Sequence, residues 1–357
     1  MCRKGKALVK LCLMLTLIAS SSSPASAAPT SISSCGTFGA GSFVVVNNIT
    51  SSGIQCLVFN AGPVTLDLGG FTVSGSGFTN GVLALSINNV TVRNGIIKGF
   101  ARAIGITGGF ATVQNVQALN GSVEGILVGD NSTVEDSSVT GHGDGGIKAG
   151  KHAGIYRNTL IGNNAAEISV SDGSIVEGNR ITLGGKSSTG FSPSGISAAS
   201  HCVVSKNIIS GSGEGFGVSA GSHSLITGNL MDNLIEGIQV TNNQIITGNN
   251  IIAIGDNAID TGPDSVISGN DASDNGGDGI IGGAGTQFVN NVANNNFLGI
   301  QVVGGGFALE DSANGNGTSG FEVTCPAKID DNIATGNLSK NLGVSGTGCA
   351  LTNNLAP

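Results

Sequence analysis

The stretch Ser224–Asn242, SLITGNLMDNLIEGIQVTN, is followed by Gln244–Gly262, QIITGNNIIAIGDNAIDTG, so that Ile-Thr-Gly-Asn returns after 20 residues. Outward from this pair, an Asn or Asp with an apolar residue two or three places before it recurs at Asn94, Asn115, Asp136, Asn158, Asn179, Asn207, Asn229, Asn249, Asn270, Asn291, Asp311, Asp331 and Asn353. The steps are 20 to 22 residues, apart from one of 28 between Asn179 and Asn207. A second marker, a small residue followed by an apolar one, keeps pace from Gly125-Ile126 through Gly237-Ile238 to Gly343-Val344.

The apolar positions inside each period are mainly Ile and Val in short runs, which reads as short strands. A leucine-rich repeat shares the period but needs regularly placed leucines and a longer convex segment. Three short strands and three turns use about 20 residues, and coils stacked at about 4.8 Å form a parallel β-helix. The Asn column then has a cause: side-chain amides in a tight turn can satisfy the backbone of the turns above and below. The spacing predicts an all-β, single-domain solenoid of about 13 coils with a period of about 21 residues, roughly 60 Å long. Its open sheet edges call for caps at both ends.

Composition agrees. Sixty glycines, no Trp and one Tyr in 357 residues exclude an ordinary helical domain. Residues 1–27 carry Arg3, Lys4, Lys6 and Lys10, an apolar run and small residues at Ala25 and Ala27, the pattern of a cleaved signal peptide. The expected mature chain comprises an N-terminal cap and first coils over 28–80 and the β-helix proper over 81–357. No later stretch is long and apolar enough to span a membrane. Four of the 15 Lys and Arg lie in the leader, leaving 11 against 23 acids, which argues against a nucleic-acid partner. Asn207 to Ala327 holds twelve acids and no Lys or Arg, so the rod should have an acidic half. Five cysteines remain after export; local pairing of Cys35 with Cys56 and Cys325 with Cys349 would staple the two ends and leave Cys202 over. That connectivity is an expectation, not a consequence of the spacing.

The segment SCGTFGAGSFVVVNNITSSGIQCLVFNAGPVTLDLGGFTVSGSG, Ser34–Gly77, followed by the coils, resembles the N-terminal part of exported bacterial right-handed parallel β-helix repeat proteins of the pectate-lyase-like superfamily. The resemblance covers essentially the whole mature chain and implies a right-handed coil. Members of that superfamily include polysaccharide lyases, glycosidases, epimerases and periplasmic proteins that help mature copper enzymes, so the fold does not choose among them.

Four sets of residues are candidates for chemistry. GHGDGG, Gly141–Gly146, contains the Gly-His-Gly of polygalacturonase-type hydrolases, but the Asn-Thr-Asp, Asp-Asp and Arg-Ile-Lys motifs that accompany it there are missing; His142 otherwise reads as a turn residue. A polyuronate lyase needs a base and cations beside the substrate carboxylate; Lys148, Arg102, Lys151, Arg157 and Arg180 are the candidates. The 28-residue coil supplies a long loop around Lys186, Ser188, Thr189 and Phe191 that could wall a groove. Arg157 follows Glu135 by 22 residues and reads equally as its surface partner.

Carboxylates form a better column. Glu214, Glu236, Asp256 and Asp278 fall on consecutive coils, where a calcium ion could relieve their repulsion; a solvated acidic face is the plainer reading. His201 and His223 share a column with His152, and Cys202 is adjacent, a conceivable transition-metal set. Other coils place Asp130, Gly173, Asn243 and Asp264 in that slot, which points instead to left-handed backbone.

Two functions follow as expectations. The first is a secreted or periplasmic protein that binds or processes an extracellular or cell-envelope polysaccharide, with polyuronate-lyase-like activity as one form and calcium as its conceivable cofactor. The second is a non-catalytic structural or adhesive rod, with the metal-maturation role as a further alternative. Aromatic platforms for sugar stacking are nearly absent, Tyr156 being the one Tyr.

Overall fold

A computed structural model describes residues 28–53, 55–77, 79–184 and 193–357. Among them there is no helix, and every strand pairing is parallel, each coil resting on the one before. The first face is a 15-stranded sheet running from Gly36–Phe38 to Lys340–Ser345. The second face runs from Thr30–Ile32 to Ala350–Thr352, and the third from Ile49–Thr50 to Asn250–Ile252, continued by single bridges through Asp271, Val292, Ser312, Ile333 and Leu355. These last two faces share one sheet because Val90–Lys98 and Thr112–Leu119 run unbroken around their common corner.

One first-face strand per coil gives 15 coils rather than about 13. Two coils precede the one marked by Asn94: the corner of the first is turned at Asn47 and Asn48, that of the second by Gly69 and Gly70, at φ +61 and +79, with no Asn or Asp marker.

Strand residues alternate inward and outward, so identical positions stack. Ile126, Ile147, Ile168, Ile196, Val218, Ile238, Ile259, Ile280, Ile300 and Phe321 form one buried column of the first face. Each such side chain stabilises the rod by about 1.5 to 3 kcal/mol. The register admits no slip: a shift of one residue would turn this whole column to solvent.

The corner between the second and third faces carries an asparagine ladder through Asn158, Asn179, Asn207, Asn229, Asn249, Asn270 and Asn291, then Asp311, Asn332 and Asn354. In each Asn rung Oδ1 accepts the backbone N–H of the rung before, as from Asn207 to Asn229 at 2.9 Å. Nδ2 reaches a main-chain carbonyl of the preceding coil, as from Asn229 to Val204 at 3.0 Å. The repeat therefore closes the backbone hydrogen bonding of a dry corner.

The marker column of the sequence needs a correction of register. Asn94, Asn115, Asp136, Asp331 and Asn353 are not rungs; they occupy the position just before, at φ between +50 and +59. Gly178, Gly228, Gly248 and Gly269 fill that left-handed position elsewhere, which is the reason for Gly in Ile-Thr-Gly-Asn. Asn serves either position, so two neighbouring columns read as one.

The other corners have ladders of their own. Between the third and first faces, Asn163, Asn275, Asn296, Asn316 and Asn337 accept main-chain N–H groups, the first from His142 at 2.8 Å. Between the first and second faces the rungs are Ser132, Ser174, Ser224, Gln244 and Ser265. Both ends carry the expected disulfides. Cys35–Cys56 and Cys325–Cys349 are bonded, with Cα atoms 4.4 and 5.1 Å apart, and Phe38, Phe43 and Phe59 cluster at the first, with ring centroids 5.5 to 5.7 Å apart.

Candidate functional site: the outward surface of the first face

Parallel register places Leu127, Lys148, Ser169, Ser197, Ser219, Gln239, Asp260, Ile281, Gln301 and Glu322 in one outward column. Hydroxyl, amide and charged groups thus stand one per coil, about 4.8 Å apart, over most of its length. Two charged clusters sit on this face.

The first cluster gathers Arg102, Glu124 and Lys148 from successive coils. Arg102 donates to Glu124 at 2.6 Å, and Lys148 Nζ lies 3.6 Å from the other carboxylate oxygen. Burial alone would raise the Glu124 pKa, but the two cations outweigh it and hold the carboxyl below its usual range. Glu124, Asp144, Lys148 and Ser169 line a shallow depression of about 140 Å³.

The second cluster is acidic. Burial pushes the pKa values of Glu236, Asp260 and Asp278 up, and mutual repulsion with Asp256 adds to each. Glu322 contributes to Asp278 as well. Asp260 and Glu322 joined this group through strand register; sequence spacing had singled out Glu214, Glu236, Asp256 and Asp278. Glu214 precedes the strand Phe216–Ala220. Among the described residues no three His, Cys, Asp or Glu converge as metal ligands.

The lyase cations do not converge either. Arg102 and Lys148 share the first face. Lys151 lies at the following turn, 3.9 Å from Asp172. Arg157 stands at the next corner, 2.7 Å from Glu135 and 2.8 Å from Asp136, the surface pairing its spacing allowed. Arg180 is exposed on the third face, in register with Thr159 and Ile208. Lys186, Ser188, Thr189 and Phe191 lie outside the described residues.

The histidine column separates from its cysteine. His152, His201 and His223 hold the left-handed position at φ +54, +59 and +60, and the rings of His201 and His223 stack at 5.1 Å. Cys202 turns inward, fully buried, as a stand-in for the serine rungs of its corner. Its backbone N–H donates to Ser224 Oγ at 3.2 Å and its thiol faces the Ser171 carbonyl at 3.4 Å. Burial pushes that thiol pKa up, the opposite of a metal-ready thiolate. His142 is likewise a buried corner residue, and burial lowers its pKa despite nearby Ala118 and Val123 backbone.

Sequence reasoning also missed a fully buried titratable group. Glu167 is fully buried, accepts the Asn163 N–H at 2.9 Å and also its Nδ2–H, and burial pushes its pKa up to about 7. The one signal was a Glu two residues into a short strand where other coils place a small residue.

A family model described as a right handed beta helix region matches residues 189–313. Together with the stacked parallel coils, this defines the class: a right-handed parallel β-helix. No curated protein matches the sequence significantly. Among solved structures the chain is similar to the catalytic unit of a thermostable GH87 alpha-1,3-glucanase from Streptomyces thermodiastaticus strain HF3-3, at 10% identity and TM-score 0.48 over 82% of this chain and 63% of that one. It is also similar to the Dettilon tailspike protein, at 17% identity and TM-score 0.44 over 86% and 61%. The A-module of the mannuronan C-5 epimerase AlgE4 from Azotobacter vinelandii gives 14% and 0.41 over 91% and 90%. This chain spans less than two thirds of the glucanase and tailspike chains. At such identities the likeness is one of winding and carries no chemistry.

Proposed function

We propose that this is an exported β-helix protein whose first face binds, or acts on, an extended extracellular or cell-envelope polysaccharide. The observation that carries the reading is the in-register outward column from Lys148 to Glu322, which offers hydrogen-bonding groups at one-coil intervals to a regular polymer. Such a column recognises hydroxyl-rich chains without aromatic platforms. The acidic half of the rod repels a bare polyanion, so the favoured ligand is a neutral glycan, or a uronate polymer bridged by calcium. Two disulfides and the leader-like N-terminus support a secreted or periplasmic location.

The test incubates the purified chain with neutral glucans, pectate, alginate and glycosaminoglycans, with and without calcium. Affinity electrophoresis reads binding, and ultraviolet absorbance reads unsaturated lyase products. Retention by at least one polymer is expected, weakened about tenfold or more by the double change Gln239→Ala and Asp260→Ala. Absence of retention on every polymer overturns the proposal. A structural or adhesive rod is then the better reading, favoured by one observation: Arg102, Lys148, Lys151 and Arg157 are each already paired with acids of this chain.

A further inference from the structure

The asparagine ladder contains one rung that is not an amide. Asp311 stands between Asn291 and Asn332, 1% exposed, and its Oδ1 does what every other rung's Oδ1 does. It accepts the Asn291 backbone N–H at 2.7 Å and the Asn291 Nδ2–H at 2.9 Å, while the Asp311 N–H donates to Asn332 Oδ1 at 2.8 Å. Its second oxygen has no partner.

The neighbouring rungs show what that oxygen replaces. Asn291 Nδ2 donates to the Ile267 carbonyl at 2.9 Å, and Asn332 Nδ2 to the Ala308 carbonyl at 3.0 Å. By the same register the Phe288 carbonyl is the group that an amide at position 311 would reach, and Asn332 Oδ1 is the next oxygen along the ladder. Both are acceptors. An ionised carboxylate there would bury a negative charge against oxygen lone pairs, whereas a neutral acid donates its one O–H where an amide donates N–H.

We infer that Asp311 is a proton-dependent rung: it holds the ladder closed as the neutral carboxylic acid, Oδ2–H donating to the Phe288 carbonyl or Asn332 Oδ1, and its ionisation opens the join between the coils of Asn291 and Asn332. Glu167, the other buried carboxyl of a ladder, differs in kind, because both its oxygens accept from Asn163. Among the described residues no cation is paired with Asp311. Its neighbour Glu310 and the next coil's Asp331 point to solvent from left-handed positions, and Asp330 is paired with Lys328 at 3.4 Å. Burial pushes the Asp311 pKa up to about 7, against the lowering effect of the Asn291 donors and the backbone at Leu309.

The sign follows from linkage. A carboxyl whose pKa is raised on folding binds more protons folded than unfolded, so its contribution is complete below the ordinary value of 3.8 and is lost as pH rises toward about 7. The experiment compares the full-length wild type with Asp311→Asn, which restores the amide, by urea unfolding at each pH from 4 to 8.5. The wild-type folding constant relative to the variant should fall about tenfold per pH unit between about 4 and 7, then level off. The wild-type-minus-variant infrared difference at pH 6 should also show a protonated-carboxyl band, the contribution of Glu167 being common to both proteins. A wild-type-to-variant ratio independent of pH, a variant less stable than wild type at pH 8, or no such band overturns the inference.

Discussion

Asn229 shows how much one residue does when its environment is repeated. Its amide accepts two hydrogen bonds from Asn207 and donates to Val204 and Asn249, all in a corner closed to water. Asn229→Ala strips these groups of partners, and each buried group left unmet costs about 1 to 3 kcal/mol. A loss of several kcal/mol in urea unfolding is expected. Asn353→Gly makes the opposite case: the residue is exposed at φ +50, glycine suits that backbone, and the unfolding midpoint should move little. Asn94 and Asn158 look alike in the sequence, yet one turns the chain outside and the other bonds inside. The difference is one residue of register, which repeat spacing alone does not resolve.

At the level of the coil, stability depends on neighbours and ends. Interior coils are held on both sides, while the last coils are held on one, and Cys325–Cys349 closes a separation of 24 residues there. Replacing both cysteines by serine should cost about 3 kcal/mol by restoring freedom to the unfolded chain. Thermal unfolding followed with probes at both ends should show the C-terminal end melting first in that variant. The pairing at both ends was legible because unpaired cysteines near open edges have few other partners. Cys202 was not legible: nothing in the string HCVV says that the thiol turns inward to replace a serine while His201 turns out.

Across the whole molecule the dominant electrostatic fact is the acidic half. Asn207 to Ala327 carries twelve acids and no Lys or Arg, and strand register brings Glu236, Asp256, Asp260 and Asp278 within mutual influence. Salt shortens the screening length from about 30 Å at 0.01 M to about 3 Å at 1 M. Added sodium chloride should therefore raise the melting temperature, and Asp260→Asn should raise it at low salt and flatten the dependence. Scanning calorimetry across salt concentrations checks both. A wild type whose melting temperature falls with salt would mean that attraction, not repulsion, governs this face.

Periodicity by itself determined the winding, the stacking and the need for caps, because a coil can lie on its neighbour only if both present the same face. The charge distribution along the rod was equally readable from the string. Tertiary structure alone decided which face each side chain joined: the pairing of Arg102 and Lys148 with Glu124, the placing of Asp260 and Glu322 among the acids, and the burial of Glu167 and Asp311. Those facts depend on lateral register between strands some 20 residues apart, and on whether a side chain at a corner turns toward water or toward the core, neither of which a linear spacing encodes.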